Sequence, residues 1–358
     1  MKDRVGKINN DWSLLSKYRN EIFGLSIIGV IILHYVQILY NMNIGGKVGS
    51  FVKGYYYLVG STGVEIFLFL SGMGLCFSMN KDSNVLRFYN RRFKRLLLPY
   101  AIWGGLFWII KDMVFFEMGW GRVLYDFFFI SFWREGTSSL WFVAFIILAY
   151  ILYPIIHWCF GKENKYRTVL FILSLITCVV LERWIKINAP NFYVNTKLAT
   201  YRGPIFFFGS YYGQKVYNKE KFNIGDKILV ILGLVANTLF IINRYYPISF
   251  MRYIDVEYIK CIYSISLVVL LALLLGHIKK TFINRVLISI GCLSLELYMT
   301  HVNIRKIMLL IGYELDKIWY YTICVILSVG ASIMLSRMCK KINSLSFRRN
   351  DTLVVDKI

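Results

Sequence analysis

The run from Ile22 to Tyr40 constrains this chain more than any other, because it is almost wholly apolar and carries a single ionisable residue well inside it, His34. A stretch of this length reads as a helix that crosses a bilayer, since about 20 residues at the helical rise cover the hydrocarbon core. Hydrocarbon offers an imidazole neither water nor counter-charge, so such a ring faces a protein interior or a wet cavity. Two readings of His34 follow. It takes part in chemistry, or it bonds to a neighbouring helix and holds the bundle together.

The remainder of the 358 residues follows the same pattern, with 57% hydrophobic and only 17% charged residues. That composition excludes an ordinary soluble protein and points to an all-α, polytopic membrane helix bundle. No polar stretch is long enough for a separate catalytic domain, so the bundle itself must carry the function. The net charge of +22 would suggest nucleic acid in a soluble protein. Here the Lys and Arg residues lie in short connections between apolar segments, so they report topology and no nucleic-acid partner is expected. Seven cysteines without a C-x-x-C pair give no disulfide framework, and no metal site is expected.

Apolar segments fall at about 22–40, 56–79, 96–116, 139–158, 168–187, 203–217, 226–243, 256–276, 286–302 and 318–336, which predicts about ten crossings. The domain plan is a cytoplasmic basic head (1–21), a transmembrane bundle (22–336) and a cytoplasmic basic tail (337–358). The first helix is expected to be retained as an anchor, because polar residues precede it and no small-x-small cleavage site follows. With both termini inside, inner connections hold 27 of the 42 Lys and Arg residues and the outer ones 15. The bias sets an N-in, C-in orientation. Between the third and fourth crossings, Val123–Trp133 is too short to span and is expected along the outer interface.

Three features could carry chemistry. Counting from the inner ends of their helices places His34 and Glu65, the one carboxylate of the second crossing, at one depth. A carboxylate beside an imidazole would fix which ring nitrogen holds the proton and leave the other as a general base. The second feature is Arg87–Arg95, where Arg87, Arg91, Arg92, Lys94 and Arg95 crowd together. Topology and anionic lipid explain such a cluster, and so does a phosphate-rich ligand, which arginines bind bidentately. The third is His301 in the ninth crossing, with Glu296 five residues before it, which could line a cavity.

In order and spacing, these residues resemble membrane-bound acyltransferase family three, whose members O-acetylate sugars of bacterial surface polysaccharides. The resemblance rests on Gly24–His34, Gly63–Gly72, Phe88–Tyr100, Leu140–Phe142 and Leu295–His301. It implies a multi-pass enzyme of the cell membrane that takes acetyl-CoA from the cytoplasm and acylates a saccharide hydroxyl presented outside. His34 then matches the catalytic histidine and Glu65 the acidic position of the second helix. Arg92 and Arg95 match an R-x-x-R pair, with Arg91 beside them as a further coenzyme A contact, and Ser71 and Gly72 match a Ser-Gly pair. The family pattern has an arginine eleven residues before the histidine. That position is Phe23 here, and Arg19, one turn earlier, is the candidate substitute. His34 would deprotonate the acceptor hydroxyl or accept the acetyl group itself. A proton-coupled transporter, with His34 and Glu65 relaying protons, is the alternative. The acceptor sugar, the identity of the acyl group and association into a homo-oligomer stay open.

Overall fold

The computed structural model describes residues 11–60, 62–161, 164–253, 255–278 and 282–355. The first ten residues of the basic head and the last three of the tail lie outside the described residues. In chain order the helices are α1 (Ser13–Lys17), α2 (Arg19–Asn41), α3 (Gly46–Val59), α4 (Thr62–Lys81), α5 (Val85–Pro99), α6 (Gly105–Ile109), α7 (Trp120–Phe127), α8 (Ile130–Glu135) and α9 (Trp141–Phe160). They continue as α10 (Arg167–Asn188), α11 (Pro190–Thr200), α12 (Gly203–Tyr217), α13 (Ile224–Tyr245), α14 (Val256–His277), α15 (Phe282–Cys292), α16 (Ser294–Ile311) and α17 (Ile318–Val355). No β-strand occurs among the described residues. That is the outcome bilayer solvation demands of a chain this apolar, since a helix satisfies its backbone groups internally.

Eight helical runs among the described residues are long and apolar enough to cross a membrane, and α15 with α16, bent by 69° at their junction, makes a ninth. The difference from ten arises mainly at α12, whose 15 residues are too few for a straight span. Between the third and fourth long runs, α7 and α8 are each shorter than three turns, as expected for Val123–Trp133. Phe129 in the left-handed region separates them.

The chain divides into two compact units. The first holds the residues up to Tyr89 together with Leu148–Cys292, and α4 is its centre. Nearly every α4 side chain from Thr62 to Cys76 is buried, so α4 is enclosed by α2, α12 and α14. Small residues make the closest crossing possible. A Cβ on Gly209 of α12 would lie 2.0 Å from the carbonyl oxygen of Phe69 in α4. Close backbone approach through small residues is the usual basis of helix association in a bilayer, where the hydrophobic effect does not drive helices together. α10 turns Val169, Ile172, Leu173, Ile176 and Val180 outward, the apolar face a lipid-contacting helix needs.

The second unit holds Asn90–Ile147 and the chain from Leu293 onward. In it, α5 runs through two π-helical segments, Tyr100–Gly104 and Ile110–Phe115, that flank α6. Phe107, Trp108 and Val123 form a buried cluster against which Ile307 of α16 packs. α16 and α17 are tied by Thr300 Oγ1, which donates to the Ser328 carbonyl at 3.0 Å.

The α4–α12 crossing gives a direct expectation. Gly209→Ala puts a methyl group inside contact distance of backbone, and overpacking of this kind costs about 1–3 kcal/mol. Detergent-solubilised Gly209→Ala should show a lowered unfolding midpoint by fluorescence-detected size exclusion. Gly54→Ala on exposed α3, where a Cβ meets nothing within 4 Å, should leave the midpoint unchanged or slightly raised.

Candidate active site

His34 lies in the last third of α2 and is half-buried. Three contacts fix the register of α2 against the α3–α4 segment. A Cβ at Gly60 would lie 3.8 Å from Leu33 Cδ1, and one at Gly63 would lie 2.7 Å from Val30 Cγ2 and 3.0 Å from the Ser26 carbonyl. The rings of Phe23 and Phe67 stack with centroids 5.2 Å apart. Leu33, Val30 and Phe23 thus face Gly60, Gly63 and Phe67 in turn. Glu65 therefore comes level with Ser26–Ile27, and His34 with the end of α3. The two backbone positions are about 12 Å apart along α2, at ~1.5 Å per residue over roughly eight residues.

Equal depth for His34 and Glu65 is thus not what the helices give. The sequence count assumed that the inner ends of the two helices are level. Arg19, at the start of α2, instead lies against Gly74, and α4 runs on for seven more residues to Lys81.

What the fold brings to Glu65 is Arg202, the residue that leads into α12. Glu65 is completely buried, and its Oε1 accepts from Arg202 Nε at 3.0 Å. Arg202 Nη1 donates to the Leu198 carbonyl at 2.6 Å, and the guanidinium lies over the Tyr201 ring with its Cζ 4.4 Å from the centroid. Nearby in the same unit, Lys260 is buried and donates to the Tyr57 carbonyl and, at 2.9 Å, to Asn237 Oδ1. Sequence reasoning left Arg202 in a connection and did not single out Lys260 within the 256–276 segment. The available signal was Glu65 itself, because a carboxylate inside an apolar helix requires a cation brought from another segment.

Arg19 stands at the start of α2, with its Cζ 5.0 Å from the Phe23 centroid. Its Nη2 fills the space that a Cβ on Gly74 would need, at 2.6 Å. The absence of a side chain at Gly74 is what lets the guanidinium lie against α4. Ser71 is half-buried in α4, and the Gly72 carbonyl accepts from Tyr153 Oη of α9 at 3.2 Å. His34, Glu65, Arg19, Ser71 and Gly72 all belong to the first unit.

The other expected residues belong to the second. Arg91 and Arg95 are exposed one turn apart on α5, and Arg92 is half-buried. His301 is buried in α16, and its Nε2 lies 3.2 Å from Tyr321 Oη of α17. Glu296 is within electrostatic reach of Arg95 and Lys340. Among the described residues, no group of three His, Cys, Asp or Glu side chains is placed to hold a metal ion.

The first unit holds an imidazole within an apolar span and a buried carboxylate paired with a guanidinium, and the second holds exposed arginines on α5. An imidazole can take a proton, and arginines can bind a polyanion. Comparison with known sequences matches the chain to the acyltransferase domain of acyltransferase family 3 over residues 24–337. No curated protein and no solved structure matches it. A match over nearly the whole chain, covering both units, is decisive: the chain belongs to acyltransferase family 3, and its multi-pass helices are those of a membrane acyltransferase.

Proposed function

We propose that the protein transfers an acetyl group from acetyl-CoA to a hydroxyl of a cell-surface or lipid-linked saccharide, in the cell membrane, with His34 as the base. The observation that carries this reading is the family match together with His34, set in α2 among apolar residues. In this reaction the acceptor oxygen attacks the thioester carbonyl, the carbon–sulfur bond breaks, and the imidazole takes the hydroxyl proton. A neutral ring is the competent form, because an unprotonated nitrogen is needed to take the proton.

The roles of the other residues follow from what each touches. Glu65, committed to Arg202, is a positioning residue that holds α4 and α12 in register near the His34 helix. The exposed guanidiniums of Arg91 and Arg95, with Arg92, suit the phosphates of coenzyme A, for which a planar fork of donors is the best match. Arg19, on the same helix as His34, is a further phosphate contact in this reading. The donor is cytoplasmic and both termini lie inside, as the charge bias sets them.

Three measurements test the proposal. His34→Ala should abolish ester formation on the cell-surface glycan while leaving protein abundance unchanged; mutant cells that keep their O-acetyl groups would refute the assignment for that acceptor. Uptake of protons coupled to a solute in vesicles, with no acetyl transfer, would establish the transporter alternative instead.

The double variant Arg92→Ala with Arg95→Ala should weaken coenzyme A binding to the purified protein, and the deficit should grow as ionic strength falls, because screening diminishes at low salt. Equal affinity at every salt concentration would leave these arginines to topology alone.

Glu65→Ala should destabilise the protein by about 3–5 kcal/mol, the usual cost of stranding a buried charge. Removing both charges, as Glu65→Leu with Arg202→Met, should restore most of the unfolding midpoint. If the double variant also recovers acetyl transfer, Glu65 acts through packing; if stability returns without activity, the carboxylate itself takes part.

A further inference from the structure

Lys260 is the one lysine or arginine of α14, and it is only 5% exposed. Among the described residues its Nζ donates to two groups, the Tyr57 carbonyl of α3 and Asn237 Oδ1 of α13, and neither carries a charge. The Phe240 ring, its centroid 5.0 Å from Nζ, adds an aromatic face suited to a cation. A buried ammonium needs a compensating charge or dipole, and an apolar helix that carries one without a carboxylate must find it elsewhere. The end of α3 supplies it.

α3 stops at Val59, and the four carbonyls of its last turn, from Tyr56 to Val59, lose the partners that a continuing helix would give them. They also form the negative end of the helix dipole, where a cation is favoured. At membrane depth water does not satisfy such groups, so protein must. Three of the four are met one by one. The Gly60 N–H donates to the Tyr56 carbonyl at 3.0 Å, Thr62 Oγ1 donates to the Val59 carbonyl at 2.7 Å, and Lys260 Nζ donates to the Tyr57 carbonyl. Lys260 is therefore a helix cap delivered to α3 by a residue 203 positions further along the chain.

The capped segment is also the one that packs on α2 around His34. Before His34, a Cβ at Gly60 would lie 3.8 Å from Leu33 Cδ1. After it, Tyr40 Oη lies 3.2 Å from Tyr57 Oη, and the Tyr40 and Tyr56 rings stack with centroids 4.4 Å apart. The residues from Tyr56 to Gly60 thus bracket His34, and α14 and α13 hold them in place through Lys260 and Asn237. All of these residues belong to the first unit.

We propose that Lys260 is a positioning residue for acyl transfer: it caps α3, fixes the segment from Tyr56 to Gly60 against α2, and so sets where His34 stands. This role rests on the acyltransferase reading with His34 as the base, whereas the cap does not. Lys260 acts through α3 and α2, without contact to the reacting atoms. A misplacement of about 1 Å at a reacting group costs about a hundredfold in rate, so loss of the cap falls on kcat and spares the binding of acetyl-CoA.

The test measures transfer from radiolabelled acetyl-CoA to the glycan of membranes that contain the full-length protein, together with hydrogen–deuterium exchange of the purified protein in nanodiscs. Lys260→Met should lower kcat by at least about tenfold and leave the KM for acetyl-CoA within about twofold. Lys260→Arg, which keeps a cation and its donors, should restore most of the lost rate. Lys53→Met, on an exposed position of the same helix, should change neither constant. Thr62→Val, which removes the neighbouring cap without touching Lys260, should also lower kcat at constant KM. Peptides containing the Gly60 amide should exchange faster in Lys260→Met than in the wild type.

A wild-type kcat in Lys260→Met overturns the proposal, and so does a loss carried by KM or one that Lys260→Arg fails to restore. If Lys260→Met does not fold, Thr62→Val decides, and an unchanged kcat there overturns it. Faster exchange at Gly60 in Lys260→Met, with no acetyl transfer by the wild type, keeps the cap but discards the acyltransferase reading and the role built on it. Transfer by the wild type that Lys260→Met matches keeps the enzyme and discards the positioning role alone.

Discussion

The ion pair between Glu65 and Arg202 is the constraint on which the first unit depends. Both groups are buried at a position where neither water nor lipid headgroups can solvate them, so each is tolerable only while the other is present. Their meeting requires α4 and the start of α12 to approach closely, and residues without side chains provide that approach. The polar pair sets which turn of α4 meets which turn of α12, and the glycine crossing at Phe69 lets the backbones close on that register. Packing and electrostatics thus specify one arrangement from two directions, which neither would achieve alone in an apolar solvent.

The register that follows carries His34 away from Glu65. His34 is level with the point at Gly60 where the helical run of α3 and α4 is interrupted. Irregular backbone at membrane depth is tolerated only where protein or a wet cavity surrounds it.

Most of the architecture was legible because bilayer solvation leaves few choices. Apolar runs become helices, and their edges follow from charge. The short segment Val123–Trp133 could be assigned to non-spanning helices on length alone. Legibility ended where a local pattern had to be converted into a long-range contact. Arg202 and Glu65 are 137 residues apart, and nothing in the sequence around Arg202 distinguishes it from the other cations of its connection. The bend of 69° between α15 and α16 was hidden for a related reason, since an apolar run reads the same whether straight or broken. α12 looked like a crossing because it is apolar, yet its burial comes from packing on α4 and not from lipid.

Charge in this chain answers two different physical demands, and the second unit separates them. Along α5, cations are exposed and crowded, as a surface facing anionic headgroups or phosphates permits. Around a cavity of about 390 Å³ lined by Lys111, Arg122 and Lys306 they are dispersed, and two of the three are pinned by buried carboxylates at a cost in desolvation that topology does not require. Burying Asp112 and Asp126 is favourable only if their partners are held in return, so the carboxylates serve to preorganise Lys111 and Arg122 at the cavity wall. Preorganised donors lose less entropy on binding than flexible ones. Three cations and three carboxylates thus balance around this wall, which is polar and held in place without a net charge.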